Sequence, residues 1–173
     1  MSESYAQEAD ASERRTVHIH PPLLAAGLLL IGLLLHLLGG HPRHVLLFHQ
    51  LFGLLLVAAG SGLSSYAAAL FTARDTTRNP YDEPAAFVGA PPYSVTRNPM
   101  YLGLASILFG FAIFFGSPSM LLMTIVFVVV IDRMVIVQEE ATMERLYGQQ
   151  YRDYKHRVGR WLRLPQLVRS RSS

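Results

Sequence analysis

Pro91-Pro92-Tyr93-Ser94-Val95-Thr96-Arg97-Asn98-Pro99-Met100-Tyr101-Leu102-Gly103 is the stretch on which the reading of the fold turns. Polar, proline-broken sequence precedes it, and from Tyr101 the chain is almost wholly apolar as far as Val137. Arg97 and Asn98 therefore stand where a membrane helix begins. Pro99 suits the first turn of that helix, where its missing N–H would have had no partner. A helix start with free N–H groups, flanked by an arginine and an amide, favours an anionic group. The simpler role for Arg97 is to anchor the helix at the headgroups. Against that stands a second polar group, Glu139-Glu140, at the far end of the same apolar block.

Outward from this stretch, composition sets the class. Of 173 residues, 51% are hydrophobic and only 16% charged, and mean hydropathy is +0.28, which is membrane rather than soluble composition. The length suits one domain. Without cysteine there is no disulfide, thiolate metal site or cysteine nucleophile. A net charge of +3 would allow a nucleic-acid partner, but the basic residues flank apolar segments, as they do in membrane proteins. No apolar core followed by a small-residue cleavage site marks a removable signal peptide at the N-terminus.

Four apolar runs follow in order. Residues 1–16 read as a disordered polar tail. Pro21-Pro22 opens a leucine-rich run over residues 23–38, and Gly39-Gly40-His41-Pro42 reads as a turn. Residues 45–71 form the second run. Its Gly53, Ala58, Ala59, Gly60, Gly62, Ser64 and Ser65 would let another helix approach closely. Residues 74–98 are a long polar connection of the kind that is disordered or functional. Residues 100–115 and 120–137 give the third and fourth spans, joined by a tight turn at Gly116-Ser117-Pro118-Ser119. The last two spans form a helical hairpin, which brings Arg97 and Glu139-Glu140 to the same side of the membrane. The expected fold is all-α: a polytopic membrane bundle of four helices with a cytoplasmic amphipathic segment at its end. Residues 17–163 would form its one membrane-embedded domain, and residues 164–173 a basic tail.

Arg14, Arg15, Arg74, Arg78, Arg97 and the basic C-terminus fall on one side of such a bundle, and only Arg43 falls opposite. The positive-inside rule then puts both termini and the polar connection in the cytoplasm. Past Val137 the pattern stays helical but turns polar. At about 100° per residue, Asp132, Arg133, Ile136, Glu139, Glu140 and Met143 share one broad face. The fourth helix is expected to stop at Gly148. Residues 149–158 read as a short amphipathic helix, with Tyr151, Tyr154 and Val158 on one side. Trp161 among Arg157, Arg160 and Arg163 reads as an interfacial anchor.

Asp132 and Arg133 lie at the edge of the fourth span, where ionisable groups are costly and are paired, face a cavity or snorkel. Glu139-Glu140 could be a solvated helix end, with Glu140 and Glu144 pairing with Arg133 and Arg145. His36, His41, His44 and His49 cluster at the first turn, yet their spacing matches no metal pattern, and no metal is expected. Phosphate-binding loops, Ser/His/Asp arrangements and nucleic-acid modules are absent from the sequence.

Several of these pieces occur in a recognisable order. Thr76-Thr77-Arg78-Asn79-Pro80 comes first, then Pro92-Tyr93, then Arg97-Asn98-Pro99-Met100-Tyr101-Leu102-Gly103. Glu139-Glu140 follows, then Tyr147-Gly148 with Tyr151, Tyr154, Arg157-Val158 and Arg160-Trp161. Over residues 66–161 the chain resembles the isoprenylcysteine carboxyl methyltransferase and phospholipid methyltransferase group, and within it the short prokaryotic members. The resemblance implies an integral enzyme of the prokaryotic inner membrane with S-adenosylmethionine as methyl donor, bound at the cytoplasmic face. It implies a cofactor pocket shaped by Arg97, Asn98, Pro99, Tyr101 and Gly103, with Glu139 and Glu140 holding the polar head. The chain departs from the family's pattern twice. Asn98 stands where many members have His, so any base role for that His is lost. Pro91-Pro92-Tyr93-Ser94 replaces the usual Gly-Pro-Tyr-Arg.

A sulfonium donor is already activated, so the protein has mainly to align the attack and exclude water. A carboxylate acceptor needs no base, whereas an amine must lose a proton, for which Asp132 or Glu139 are the nearby candidates. Asn98, Asp132 and Glu139 are thus the candidate catalytic residues. The expected acceptor is apolar or lipid-anchored and reaches the site sideways from the membrane lipids. Small residues of the second span and Phe109, Phe111, Phe114 and Phe115 of the third are candidates to line its route. A membrane reductase of related fold and a non-catalytic scaffold or transporter subunit are the competing readings.

Overall fold

The computed structural model describes residues 19–39, 46–75 and 91–162, with main-chain positions alone at 71–75. The proposed N-terminal and C-terminal tails, His41, His44 and most of the polar connection lie outside these residues. All regular elements are helical: α1 (Pro21–Leu38), α2 (Leu47–Asp75), α3 (Pro99–Phe115) and α4 (Pro118–Val130). A π-helical stretch (Ile131–Ile136) then leads into α5 (Val137–Arg157). Pro21-Pro22, Pro99 and Pro118 each sit in a first helical turn, where the ring costs no hydrogen bond.

Three helices are long and apolar enough to cross a membrane: α1, residues 47–70 of α2, and the rod that begins at Pro118 and runs through the π-helical stretch into α5. The third expected span, α3, is a shorter apolar helix of 17 residues. At 1.5 Å per residue it is about 26 Å long, a little under the hydrocarbon thickness. The chain is an integral membrane protein with a helical-bundle fold.

Glycines decide how α2 and α3 pack. A Cβ on Gly53 would stand 2.6 Å from the Gly110 carbonyl oxygen, and one on Gly60 would stand 2.6 Å from that of Gly103. Two contacts seven residues apart on each helix make an antiparallel seam in which the backbones touch. Gly53, Gly60 and Ser64 of α2 are thus taken up by packing on α3, while Ala58, Ala59, Gly62 and Ser65 are exposed. On the other side, Gly32 of α1 fits against Met120 and Met123 of α4, and Ser119 Oγ donates to the Gly32 carbonyl at 3.1 Å.

The turn between α3 and α4 is built as its residues suggest. Gly116 takes a left-handed conformation (φ 57°) that ends α3, and Ser117 caps α4 by accepting from Met120 N at 3.3 Å. Phe109 lies at this end of the molecule, where it lines a small apolar cavity with Ala112, Ile113 and Leu121. Phe111 and Phe114 both pack on Phe115 there, and Phe115 also meets His36. The four phenylalanines therefore cluster away from Arg97, contrary to the expected access route.

Buried positions along the last rod are Phe127, Ile131 and Ile136, all 0% exposed, a step of four and then of five. The step of five is the π-helical stretch, which re-aims everything after it. Uniform 100° spacing misses this. Arg133, expected on the same face as Asp132, instead has 80% of its side chain exposed. Further on, Gly148 adopts φ 51°, ψ −120°, and the rod breaks there as expected. The arm after it folds back toward the start of α3.

Candidate functional site

The loop before α3 and the arm after Gly148 are stitched together by main-chain groups. Arg97 N donates to the Gly159 carbonyl at 2.9 Å. The Arg160 carbonyl accepts from both Thr96 Oγ1 (3.1 Å) and Asn98 Nδ2 (2.9 Å). Two tyrosines add to this: Tyr154 donates its hydroxyl to the Tyr93 carbonyl at 2.8 Å, and Tyr93 donates to Ala67 O of α2 at 3.4 Å. Asn98 uses its Nδ2 as a donor to Arg160, and its side chain gives α3 no cap hydrogen bond. The first-turn N–H groups of α3 are left for another acceptor.

The hairpin closes as its two apolar runs imply, and it brings the charged groups together. Arg97 Nη1 lies 3.0 Å from Glu140 Oε1, each side chain being only 12% exposed. The approach is an ion pair without hydrogen-bond geometry: Arg97 Nη1 and Nε are buried donors with no hydrogen-bond partner among the described residues. Arg160 makes the better-aligned contact, reaching Glu140 through Nη2 at 2.7 Å and Nε at 3.0 Å. It also reaches Asp132 Oδ2 through Nη1 at 3.1 Å. The Glu140 bond raises the already high pKa of Arg160, so this guanidinium stays charged. Trp161 Nε1 donates to the other Asp132 oxygen at 2.9 Å.

Glu139 differs from its neighbour. Its Oε1 accepts a 2.6 Å hydrogen bond from the Tyr101 hydroxyl, and its side chain is open to the surroundings. No arginine holds it among the described residues. Brought together are the guanidinium groups of Arg97 and Arg160 and the carboxylates of Asp132, Glu139 and Glu140. Arg133 also pairs with Asp132 at 3.9 Å, so three cations face three anions and the fully ionised cluster is close to neutral.

Of the sequence candidates, Arg97, Asn98, Tyr101, Asp132, Glu139 and Glu140 converge at this end, and Pro99 is buried among them. Gly103 does not join them. It lies about 200° around α3 from Tyr101, against Gly60 and Ser64 of α2. The pairings anticipated for the acidic residues are replaced: Glu140 takes Arg97 and Arg160, and Glu144 takes Lys155 and Arg152. Arg160 and Trp161, read in the sequence only as motif residues and an interfacial anchor, are not among the candidate site residues, yet both bind Asp132. The signal for both was the break at Gly148, which turns the basic segment back. No group of three or more metal-ligating side chains forms among the described residues.

The phospholipid methyltransferase family matches residues 48–150, well over half of the chain. This chain belongs to that family. Its members' chemistry makes it a membrane methyltransferase of the phospholipid and isoprenylcysteine kind. An uncharacterized protein of Haemophilus influenzae is 40% identical over 63 residues, 36% of this chain and 100% of the relative. No solved structure matches the chain.

Proposed function

We propose that this methyltransferase uses S-adenosylmethionine to methylate a lipid-like or lipid-anchored acceptor at the cytoplasmic face. Residues 17–163 form the single catalytic domain in this reading. The observation that carries it is Arg97, whose buried Nε and Nη1 have no hydrogen-bond partner among the described residues and which immediately precedes the uncapped start of α3 in the chain. Glu140 gives Nη1 an ion pair without hydrogen-bond geometry, so both donors remain available to a ligand carboxylate. Glu139, which accepts from a neutral phenol only, has lone pairs left for an ammonium. The donor set thus fits both ends of an amino-acid moiety.

The bound donor supplies an activated methyl group on a sulfonium. What remains for the protein is to bind, orient and exclude water. Arg97 and the first turn of α3 hold a carboxylate. Glu140 and Arg160 fix Arg97 in place, a positioning task. Asn98 and Thr96 clamp the arm that carries Arg160 and Trp161, and the buried Tyr93 and Tyr154 seal it against water. If the acceptor is an amine, Glu139 can take its proton only through the oxygen that does not hold the donor's ammonium. Asp132 is the weaker base because both its oxygens already accept from Arg160 and Trp161. The shortness of α3 sets this pocket at the membrane boundary, where an acceptor can arrive from the bilayer. The excess of basic residues on this side supports the cytoplasm as its location.

Binding of labelled S-adenosylmethionine to the detergent-purified protein tests the reading. Arg97→Ala and Glu139→Gln should each weaken it about 10- to 100-fold, the worth of one charge-assisted hydrogen bond. Unchanged affinity in both variants refutes the site assignment. Absence of binding in the parent protein refutes the cofactor and leaves a non-catalytic scaffold.

A further inference from the structure

Tyr151 lies on the arm after Gly148 and has no part in the site as described so far. Its ring is braced on two sides. The ring of Tyr154, one turn on, has its centroid 6.0 Å away, and Lys155 Nζ stands over the Tyr151 ring at 5.8 Å from its centroid. Both braces are themselves held: Tyr154 donates its hydroxyl to the Tyr93 carbonyl at 2.8 Å, and Lys155 donates to Glu144 at 2.7 Å. The hydroxyl of this fixed ring turns to the charged cluster. Burial pushes its pKa up and the Glu140 charge adds to that, while the charge of Arg97 and a hydrogen bond from it pull the other way. The phenol oxygen is thus an acceptor for Arg97. Its own proton has no acceptor among the described residues, and the side chain is partly exposed.

The geometry points to Tyr151 as a second donor to the ligand carboxylate that Arg97 takes. This rests on the proposed reading of the site and adds a binding residue to it. A phenol that accepts from a guanidinium is polarised and donates more strongly through its own O–H. The two side chains then act as one array, with Nε and Nη1 of Arg97 and the Tyr151 O–H beside them. An O–H donor adds no charge, so it strengthens the hold on an anion without disturbing the near-neutral balance of the cluster. Arg97 belongs to the loop before α3 and Tyr151 to the arm, so a carboxylate held by both joins the two segments. A ligand of the same shape without a carboxylate gains nothing from Tyr151.

The test compares two ligands on the full chain in an uncharged detergent. One is S-adenosylmethionine. The other is its decarboxylated form, which keeps the sulfonium and the amine and lacks the carboxylate. The parent should bind the first at least about tenfold more tightly. Tyr151→Phe keeps the ring and both of its braces. It should therefore keep the melting temperature, weaken S-adenosylmethionine about tenfold and leave the decarboxylated ligand unchanged. Tyr147→Phe, which removes an exposed phenol ahead of the break, should alter neither affinity. Equal weakening of both ligands in Tyr151→Phe gives Tyr151 a structural role only and overturns the proposal, as does an equal loss in Tyr147→Phe. If Arg97→Ala weakens S-adenosylmethionine and Tyr151→Phe does not, the cofactor reading stands and the second donor falls. If the parent binds neither ligand, the cofactor reading itself falls and takes the second donor with it.

Discussion

Glu139 and Glu140 are adjacent in sequence and different in circumstance. Glu140 is sequestered by two guanidinium groups, so its charge is spent on holding them. Glu140→Ala would strand Arg97 at 12% exposure without a counter-charge. The expected cost is about 3–5 kcal/mol, read as a fall in the thermal midpoint of the detergent-solubilised protein. Glu139 carries no such burden, and Tyr101→Phe removes the one hydrogen bond it makes among the described residues. That variant should keep the parent's melting temperature and lose about tenfold in S-adenosylmethionine affinity, one hydrogen bond to a charged group. An unchanged affinity would mean that the phenol does not orient the carboxylate. Which of two neighbouring glutamates is free was not legible from their spacing. That depended on Arg160, twenty residues on and beyond a break in the helix.

At the scale of elements, the arm after Gly148 is held by interactions that a straight helix could not make. Glu144, before the break, accepts from Lys155 at 2.7 Å and pairs with Arg152 at 3.5 Å, both after it. The Lys155 hydrogen bond holds the Glu144 carboxyl below its ordinary pKa of 4.5. A depressed carboxyl pKa stabilises the folded arm above the ordinary value and ceases to as pH falls through the lowered one. Trp161, the chain's single tryptophan, should therefore report loosening of the arm only below about pH 4.5. Gly148→Ala should loosen it at neutral pH. A Cβ there meets nothing within 4 Å, so the penalty is the positive φ alone, about 1–3 kcal/mol. Gly60→Ala instead places a Cβ 2.6 Å from the Gly103 carbonyl, and should cost about 1–3 kcal/mol of stability without touching cofactor affinity. The sequence announced the Gly148 break and the small-residue seam, because glycine's roles there are local. It concealed the π-helical step, since nothing in residues 131–136 breaks the apolar period.

For the whole molecule, the pattern of helix contacts fixes which ends lie together. The α2–α3 seam is antiparallel, α3 and α4 are joined by a tight turn, and Gly32 near the end of α1 meets Met120 near the start of α4. The start of α1, the end of α2, the start of α3 and the start of α5 therefore share one side, and Gly39 and Gly116 lie on the other. That arrangement was legible because a tight turn at residues 116–119 makes the last two runs a hairpin, and because Arg74, Arg78 and Arg97 all fall at one end. A chain with no cysteine allows its orientation to be measured directly. Gly39→Cys is tolerable, since Gly39 has an ordinary φ of −77° and is exposed. Gln138→Cys is exposed beside Glu139. In intact cells a membrane-impermeant maleimide should label the first variant and spare the second, and disruption of the membrane should make both reactive. The reverse pattern would put Arg97 and Glu139 outside the cell, where no S-adenosylmethionine is made. The proposed donor and the basic flank would then no longer share a side.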